Sequence, residues 1–296
     1  MAERLCLLSV HAHPDDEASK GAATVARYHD EGVRSVLVTC TGGEEGDILN
    51  PAMDRPEVRA DLPAVRRREL MNAAAAIGYD DVVLLGYRDS GMPDSPANAR
   101  PDSFAAAPLA EAVGRLVEVI RRERPQVLVT YPEDQSQYPH PDHLRVHEIS
   151  AAAFAAAGVA DAYPGLGEPF QPLKLYYSLW PVEQVLARHA KFLELGLTSP
   201  YAERLADGWL DRTSAHEVTT RVDVAGYADA RRAALLAHAT QIDPDSPHWF
   251  GLPPEVERDL HVFDPYCLAR SLVPTEVPED DLFAGVREHA VGGPVA

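Results

Sequence analysis

Leu5-Cys6-Leu7-Leu8-Ser9-Val10-His11-Ala12-His13-Pro14-Asp15-Asp16-Glu17 is an apolar run that breaks into two histidines and three acids. A short continuous apolar run of this kind reads as a buried strand, which puts the polar cluster at its carboxyl end. The same pattern recurs far downstream. Gln126 to Tyr131 is strand-like, and a few residues later comes Tyr138-Pro139-His140-Pro141-Asp142-His143-Leu144-Arg145-Val146-His147. In an open parallel α/β sheet the carboxyl ends of the strands share one rim, where ligands bind. Two distant clusters can therefore meet there on one ion, which points to a metal-dependent enzyme.

Working outward from the first run, strand and helix patterns alternate. A helical stretch near Ala18 to Glu31 leads to a strand from Ser35 to Cys40, a helix from Ala64 to Ile77 and a strand from Val82 to Leu85. A helix from Leu109 to Glu123 stops before Pro125; then come a strand from Val127 to Tyr131, a helix from Pro141 to Ala157 and a strand from Leu173 to Leu179. This series predicts a Rossmann-like, doubly wound, largely parallel α/β sheet. Between Trp180 and Trp249 the alternation fades and helical patterns dominate. The expected organisation is a metal-binding catalytic core over residues 1-179 and an accessory or lid region over 180-296 that completes the substrate pocket, the two forming one continuous domain. Gly91 to Ser103 reads as a long mobile loop and Glu288 to Ala296 as a frayed tail.

The composition removes whole classes of function. With 27 Lys plus Arg against 46 Asp plus Glu, the 296-residue chain carries a formal charge of -19, which repels nucleic-acid phosphates and anionic bilayers. No signal-peptide pattern opens the chain and its longest small-apolar stretch, Ala151 to Ala157, is too short to span a bilayer. A cytoplasmic location is expected. Cys6, Cys40 and Cys267 are odd in number and lack CxxC spacing, so they are expected to be reduced and buried.

A hydrolytic zinc ion usually takes three protein ligands from His, Asp or Glu and keeps a fourth position for water. His13, Asp16 and His143 can supply that set, although His147, one turn beyond His143, shares its helix face and is admitted by spacing alone. Two neutral imidazoles and one carboxylate leave the ion only partly neutralised, which lowers the pKa of water toward neutrality. Asp15, beside a ligand but off the metal, can accept the water proton, and Pro14 fixes its own φ so that the paired carboxylates diverge. Pro141 suits the first helical position and Asp142 the first turn, with His140 near the N-cap. A cationic His140 could stabilise an oxyanion and protonate the departing amine, Tyr138 could donate to the same oxygen, and Asp142 could orient His140. A single histidine or acid at a strand end is ordinarily structural. Five His and three Asp in two such segments have no packing purpose, because polar groups are costly to bury unpaired. The loop Thr41-Gly42-Gly43-Glu44-Glu45-Gly46-Asp47 lacks the Lys-Ser/Thr of a phosphate loop and reads equally as a rim turn or a substrate contact.

At these residues the chain resembles the LmbE-like, or PIG-L-type, zinc de-N-acylase superfamily, whose HPDDE and HPDH signatures are both intact. The similarity extends through the stretch from Thr39, Arg66 to Glu69, Arg88-Asp89-Ser90-Gly91, His238-Ala239-Thr240-Gln241-Ile242-Asp243-Pro244 and Leu282-Phe283-Ala284-Gly285. Within the superfamily it is most similar to the mycothiol S-conjugate amidase branch. Lys20, the stretch Ile48 to Asp54 and the Gln-Ile-Asp-Pro ending support that placement over the mycothiol-pathway deacetylases, which typically lack the lysine. The resemblance implies one Zn2+ per chain, with Fe2+ an alternative, on His13, Asp16 and His143. It makes Asp15 the base, His140 the acid or oxyanion partner and Tyr138 a further stabiliser, and it decides against His147. It implies that Arg66 and Asp89 contact the sugar-inositol, against an ordinary helix-to-loop salt bridge. Lys20 would meet a polar group on the acyl side.

The implied substrate is a small-molecule sugar-inositol thiol conjugate, cleaved to glucosaminyl-inositol and a mercapturic acid. This would serve thiol detoxification or a step in an antibiotic pathway, without nucleic acid or membrane; a homo-oligomer is compatible with it. Trp180, Trp209, Trp249 and Phe250 are candidate linings of an apolar opening for the thiol substituent, against a plain core role. The alternative in the same superfamily is the N-acetylglucosaminyl-inositol deacetylase. Outside it stand a non-haem iron oxygenase, disfavoured because its facial triad usually sits on antiparallel barrels, and a non-catalytic sugar-binding module.

Overall fold

The computed structural model describes residues 4–133, 138–208 and 216–287. Strand β1 (Cys6–His11) leads into a single helical turn α1 (Asp16–Ser19) and then helix α2 (Ala22–Asp30), followed by β2 (Arg34–Thr41), α3 (Pro56–Ala60), α4 (Leu62–Ile77) and β3 (Asp81–Tyr87). Next come α5 (Leu109–Glu123), β4 (Val127–Thr130), α6 (Pro141–Ala156) and β5 (Lys174–Ser178). The rest comprises α7 (Val182–Glu194), α8 (Ala202–Ala206), β6 (Thr220–Asp223), α9 (Ala228–Ala237), α10 (Pro247–Phe250), α11 (Pro254–Leu260) and β7 (Phe263–Ser271).

One seven-stranded sheet runs β3-β2-β1-β4-β5-β7-β6. Its first five strands are parallel, and β7 and β6 join with antiparallel pairing. The winding reverses between β1 and β4, and at such a switch point the loops leaving the strands diverge to open a crevice. The two polar clusters follow those two strands. Fold class and architecture are therefore as the alternation predicts.

The strands are apolar on both faces because both are covered. Cys6, Leu8 and Val10 pack with Leu116, Ile120, Val146 and Ile149 of α5 and α6. Leu7 points the other way, toward Val25 and Tyr28 of α2 and Leu235 of α9. Helix α5 stops where Arg124 takes a left-handed φ of 52° ahead of Pro125, which disfavours helical backbone in the residue before it.

Two differences from the sequence reading matter for the site. The single helix expected from Ala18 to Glu31 is broken at Gly21, whose φ of 85° no larger residue adopts easily, and where a Cβ would sit 2.8 Å from the Tyr266 hydroxyl oxygen. Strands β6 and β7 also escape the pattern. The first is only four residues long, and the second carries Pro265, a residue that argues against a strand unless its missing N–H faces an unpaired position. Above the sheet rim α7, α8 and α11 enclose a small separate cluster of Val185, Phe192, Tyr201 and Leu252. Cys6, Cys40 and Cys267 are free and buried, as expected. No helix among the described residues is long and apolar enough to cross a membrane. Trp209 and the expected tail from Glu288 to Ala296 lie outside the described residues.

Candidate active site

Where β1 ends, the backbone turns sharply and Asp15 adopts a φ of 119°, a strained value for a residue with a side chain. Two contacts hold it there. The Asp15 amide donates to Glu17 Oε2 at 3.0 Å, and its carboxylate accepts from Arg66 Nη2 at 3.2 Å. Glu17 is in turn fixed by His238 Nε2 at 2.5 Å, both side chains being fully buried. Arg66 also donates to the carbonyls of Pro14 and Gly43, each at 2.7 Å, so it braces the loops after β1 and β2 together. Gly43, at φ 68°, admits that guanidinium where a Cβ would collide with it. The Gly-rich loop is thus a brace for the rim, and its Glu45, Gly46 and Asp47 line the cleft beyond.

His13, Asp16 and His143 converge. His13 Nδ1 lies 3.6 Å and His143 Nε2 3.5 Å from Asp16 Oδ2, and the three can present ligand atoms within 4.8 Å of one another. A second group, His13, Asp89, His140 and Asp142, meets the same distance limit. Its carboxylates, however, are already engaged. Asp142 accepts from the Ser90 amide at 3.0 Å, from the Ser90 hydroxyl and from His13 Nε2 at 3.2 Å; Asp89 accepts from Gly91 N at 2.8 Å and Glu45 N at 3.3 Å. His143 Nε2, by contrast, is buried with no hydrogen-bond partner. An orphaned imidazole nitrogen facing a carboxylate and a second imidazole is what a tetrahedral cation site with an open position requires.

The electrostatics agree with that fit. Burial opposes a charge on His13, yet the carboxylates of Asp142, Asp16 and Asp89 outweigh it and hold the ring's pKa well above its ordinary value. Surroundings that favour a proton there favour a metal cation in its place. Burial pushes His143 down to about 4, leaving the neutral ring that ligation needs. Asp142 orients His13 through Nε2, the carboxylate–imidazole pairing common behind metal ligands.

This corrects one expectation: the Asp142 carboxylate serves His13, and what reaches His140 is the Asp142 backbone amide, donating to Nδ1 at 3.2 Å. His140 is the N-cap of α6 by that same bond. It is also neutral here, not cationic, because burial and then the charge on His13 lower its pKa. With Nδ1 accepting, its proton is on Nε2, 3.9 Å from Asp89 Oδ1. Asp89 lies 3.5 Å from His13 Nε2. The Tyr138 ring stands 5.1 Å from that of His143 and is 47% exposed, at the mouth of the cleft. Lys20 Nζ sits 2.5 Å from Asp16 Oδ1, on the carboxylate of a candidate ligand. His147 Nδ1 turns away to the Tyr131 carbonyl at 3.0 Å and belongs to neither ligand group.

A cleft of about 700 Å³ opens over these residues. Trp180 and Trp249 line it, whereas Phe250 is held under the Arg232 guanidinium at 4.4 Å and packs in the core.

Residues 8–154 match the family described as PIG-L, GlcNAc-PI de-N-acetylase. A mycothiol S-conjugate amidase of Streptomyces coelicolor is 44% identical over 98% of this chain and all of its own length. The chain belongs to the PIG-L family. A further relative, the 1D-myo-inositol 2-acetamido-2-deoxy-alpha-D-glucopyranoside deacetylase of Streptomyces griseus, is 42% identical over 95% of this chain and 88% of its own. Among solved structures, the N,N'-diacetylchitobiose deacetylase of Pyrococcus horikoshii superposes with a TM-score of 0.61 at 17% identity, covering 89% of this chain and 83% of the other, a likeness of fold. As a PIG-L member the protein is a hydrolase that removes an acyl group from an amide nitrogen.

Sequence reasoning missed Tyr131, whose ring stacks on His143 at 4.7 Å and whose hydroxyl shares a hydrogen bond with His11 Nδ1 at 2.9 Å. Its place at the end of β4 was the available signal. Burial lowers His11 to about 4, so it is a neutral support for Tyr131. Glu17 and Glu69 were also unassigned; Glu69 grips the Thr240 amide at 2.9 Å and its hydroxyl at 2.6 Å, drawing the segment from His238 against the site.

Proposed function

We propose that the protein is a zinc-dependent amidase that cleaves mycothiol S-conjugates to glucosaminyl-inositol and an N-acetylcysteine S-conjugate, in thiol detoxification or in an antibiotic pathway. The observation that carries this reading is the length of the cleft. At about 700 Å³ it runs from the ligand cluster to Trp180 and Trp249, far more room than an acetyl group needs. The similarity to the Streptomyces coelicolor amidase over the full chain supports it. The second reading, deacetylation of N-acetylglucosaminyl-inositol, is favoured by the names of several relatives at 39–43% identity.

His13, Asp16 and His143 would hold a divalent ion, zinc by donor set with ferrous iron an alternative, which when bound would supply Lewis acidity to the amide carbonyl and to water. The chain's own groups do the rest. Asp15, held by Arg66 and Glu17, takes the proton from the attacking water. His140 directs its Nε2–H at the oxyanion as a hydrogen-bond donor, the proton that Asp15 took from water passes to the departing nitrogen, and Tyr138 closes the mouth of the cleft over the same oxygen. Burying Asp89 and Arg66 at the rim supports a polar seat for the sugar-inositol, and Lys20 places an ammonium on the acyl side. Incubation with a bimane-labelled mycothiol conjugate, acetylated glucosaminyl-inositol and N-acetylglucosamine, reading amine release, tests the choice. The conjugate should win on kcat/KM; preference for the acetylated sugar would replace this reading with the deacetylase.

A further inference from the structure

The far wall of the cleft, built from α7, α8, α9 and α10, is cationic on a chain whose net charge is -19. Arg188, Arg204 and Arg231 all line it, beside Trp180, Tyr201 and Trp249. The nearby acids are engaged elsewhere. Glu257 is held by Arg188 Nη1 at 2.6 Å to each oxygen, and Asp264 accepts from Thr24 N at 3.0 Å and Thr24 Oγ1 at 2.7 Å, with His261 Nε2 3.0 Å from its other oxygen. Arg231 has no such partner. Its Nε is buried without a hydrogen bond, it donates none among the described residues, and its guanidinium stands 5.9 Å from the Trp249 ring centroid.

Arg231 is half-buried in the cleft wall, and leaving its buried Nε without an acceptor is costly unless a ligand supplies one. The field around it says the same. Burial and then Arg204, Arg188 and Arg231 depress His248 to about 4, and burial with Arg188 lowers Arg231 itself. The aromatic faces beside the arginines offer stacking for a flat group carrying the negative charge.

We propose that this compartment is an anion-binding subsite for the S-substituent of the substrate, shaped for a carboxylated aromatic group with Arg231 as its main partner. It rests on the amidase reading and names the substrate class of that same site. The distance fits. Arg231 and His238, which touches Glu17 beside the ligand cluster, are seven residues apart along α9, or roughly 10 Å at the helical rise. Leu235, between them, lines the cleft. A thioether-linked aryl carboxylate extends along that wall toward Arg231, whereas acetyl stays at the ligand cluster.

The test compares mycothiol conjugates bearing S-benzyl and S-(4-carboxybenzyl) groups in the wild type, Arg231→Gln and Arg231→Lys. The ratio of kcat/KM for the carboxylated over the neutral conjugate should be about tenfold or more in the wild type, fall to near one in Arg231→Gln and recover in part in Arg231→Lys. Calorimetry with the two matching S-substituted N-acetylcysteines, which share their α-carboxylate, reads the same preference without turnover. If the wild type cleaves both conjugates equally and binds both acids equally, the subsite is overturned while the amidase reading survives. If it cleaves neither conjugate but still prefers the carboxybenzyl acid through Arg231, the subsite stands and the amidase reading falls.

Discussion

Single side chains divide the labour of the site by what each is bonded to. Asp15 has no route to the ligand cluster except through water, since its carboxylate is turned to Arg66 and its strained backbone is pinned by Glu17. Asp15→Asn should keep full metal content, measured by elemental analysis, and lose roughly 10²- to 10⁴-fold in turnover; near-normal turnover would hand the proton to another acceptor. Asp142→Asn should weaken metal binding about 10- to 100-fold in a chelator competition, because it removes the partner that fixes the His13 tautomer. His147→Ala should leave that affinity alone, its Nδ1 being spent on the Tyr131 carbonyl. Lys20→Ala should lower kcat/KM on mycothiol conjugates about tenfold more than on acetylated glucosaminyl-inositol. Because Lys20 also sits on Asp16, a loss of metal shared by both substrates would show instead that its service is to the ligand.

At the scale of elements, the ends of β1 and β4 could be read directly because each is a pure apolar run stopping at charged residues, and the parallel alternation placed both on one rim. The approach of His13 and Asp16 to the start of α6 was legible for the same reason, whereas the choice of His143 over His147 came only from the family resemblance. The clamp on Asp15 was not, since nothing local marks Glu17 and His238 as partners 221 residues apart. Nor was β7, whose Asp264 and Pro265 hide a strand that pairing with β5 makes favourable. Strand β5 carries its own test. Lys174, fully buried, is matched by Glu279, which also accepts from the Tyr176 hydroxyl at 2.7 Å. Glu279→Gln leaves a buried ammonium uncompensated, and urea unfolding should show a loss of about 3–5 kcal/mol. On the same face Asp281 accepts from Tyr28 and Arg287. Burial opposes its charge, but the bonds from Arg287, the Phe283 amide and Tyr28 prevail and hold its pKa below the ordinary carboxylate value. A depressed folded pKa adds stability that is full above the unfolded value of about 4 and is lost as the pH falls through the folded one. Asp281→Asn should therefore flatten the acid limb of the stability curve, with its largest effect near neutrality; an unchanged limb would place the acid sensitivity elsewhere.

The molecule as a whole keeps its thiols out of chemistry. Burial raises Cys6 to about 11 and Cys40 well above its ordinary value, so neither is a thiolate near pH 8. Native protein should react with a thiol reagent at these two positions only on unfolding, and fast labelling of either under native conditions would mean the sheet opens locally. Three contacts described above tie the first helices to the last part of the chain: Glu17 to His238, Thr24 to Asp264 and Tyr28 to Asp281, separated by 221, 240 and 253 residues. Read as time instead of distance, those separations set a schedule. A ribosome adds roughly 5–20 residues per second, so the HPDDE segment waits more than about ten seconds between its own emergence and that of the histidine that clamps it. During that interval β1 can pair with β2 and Arg66 can reach the Asp15 carboxylate, yet Glu17 lacks the histidine that fixes it. The clamp behind the HPDDE turn is thus the last brace of the site to be supplied, arriving at the end of α9.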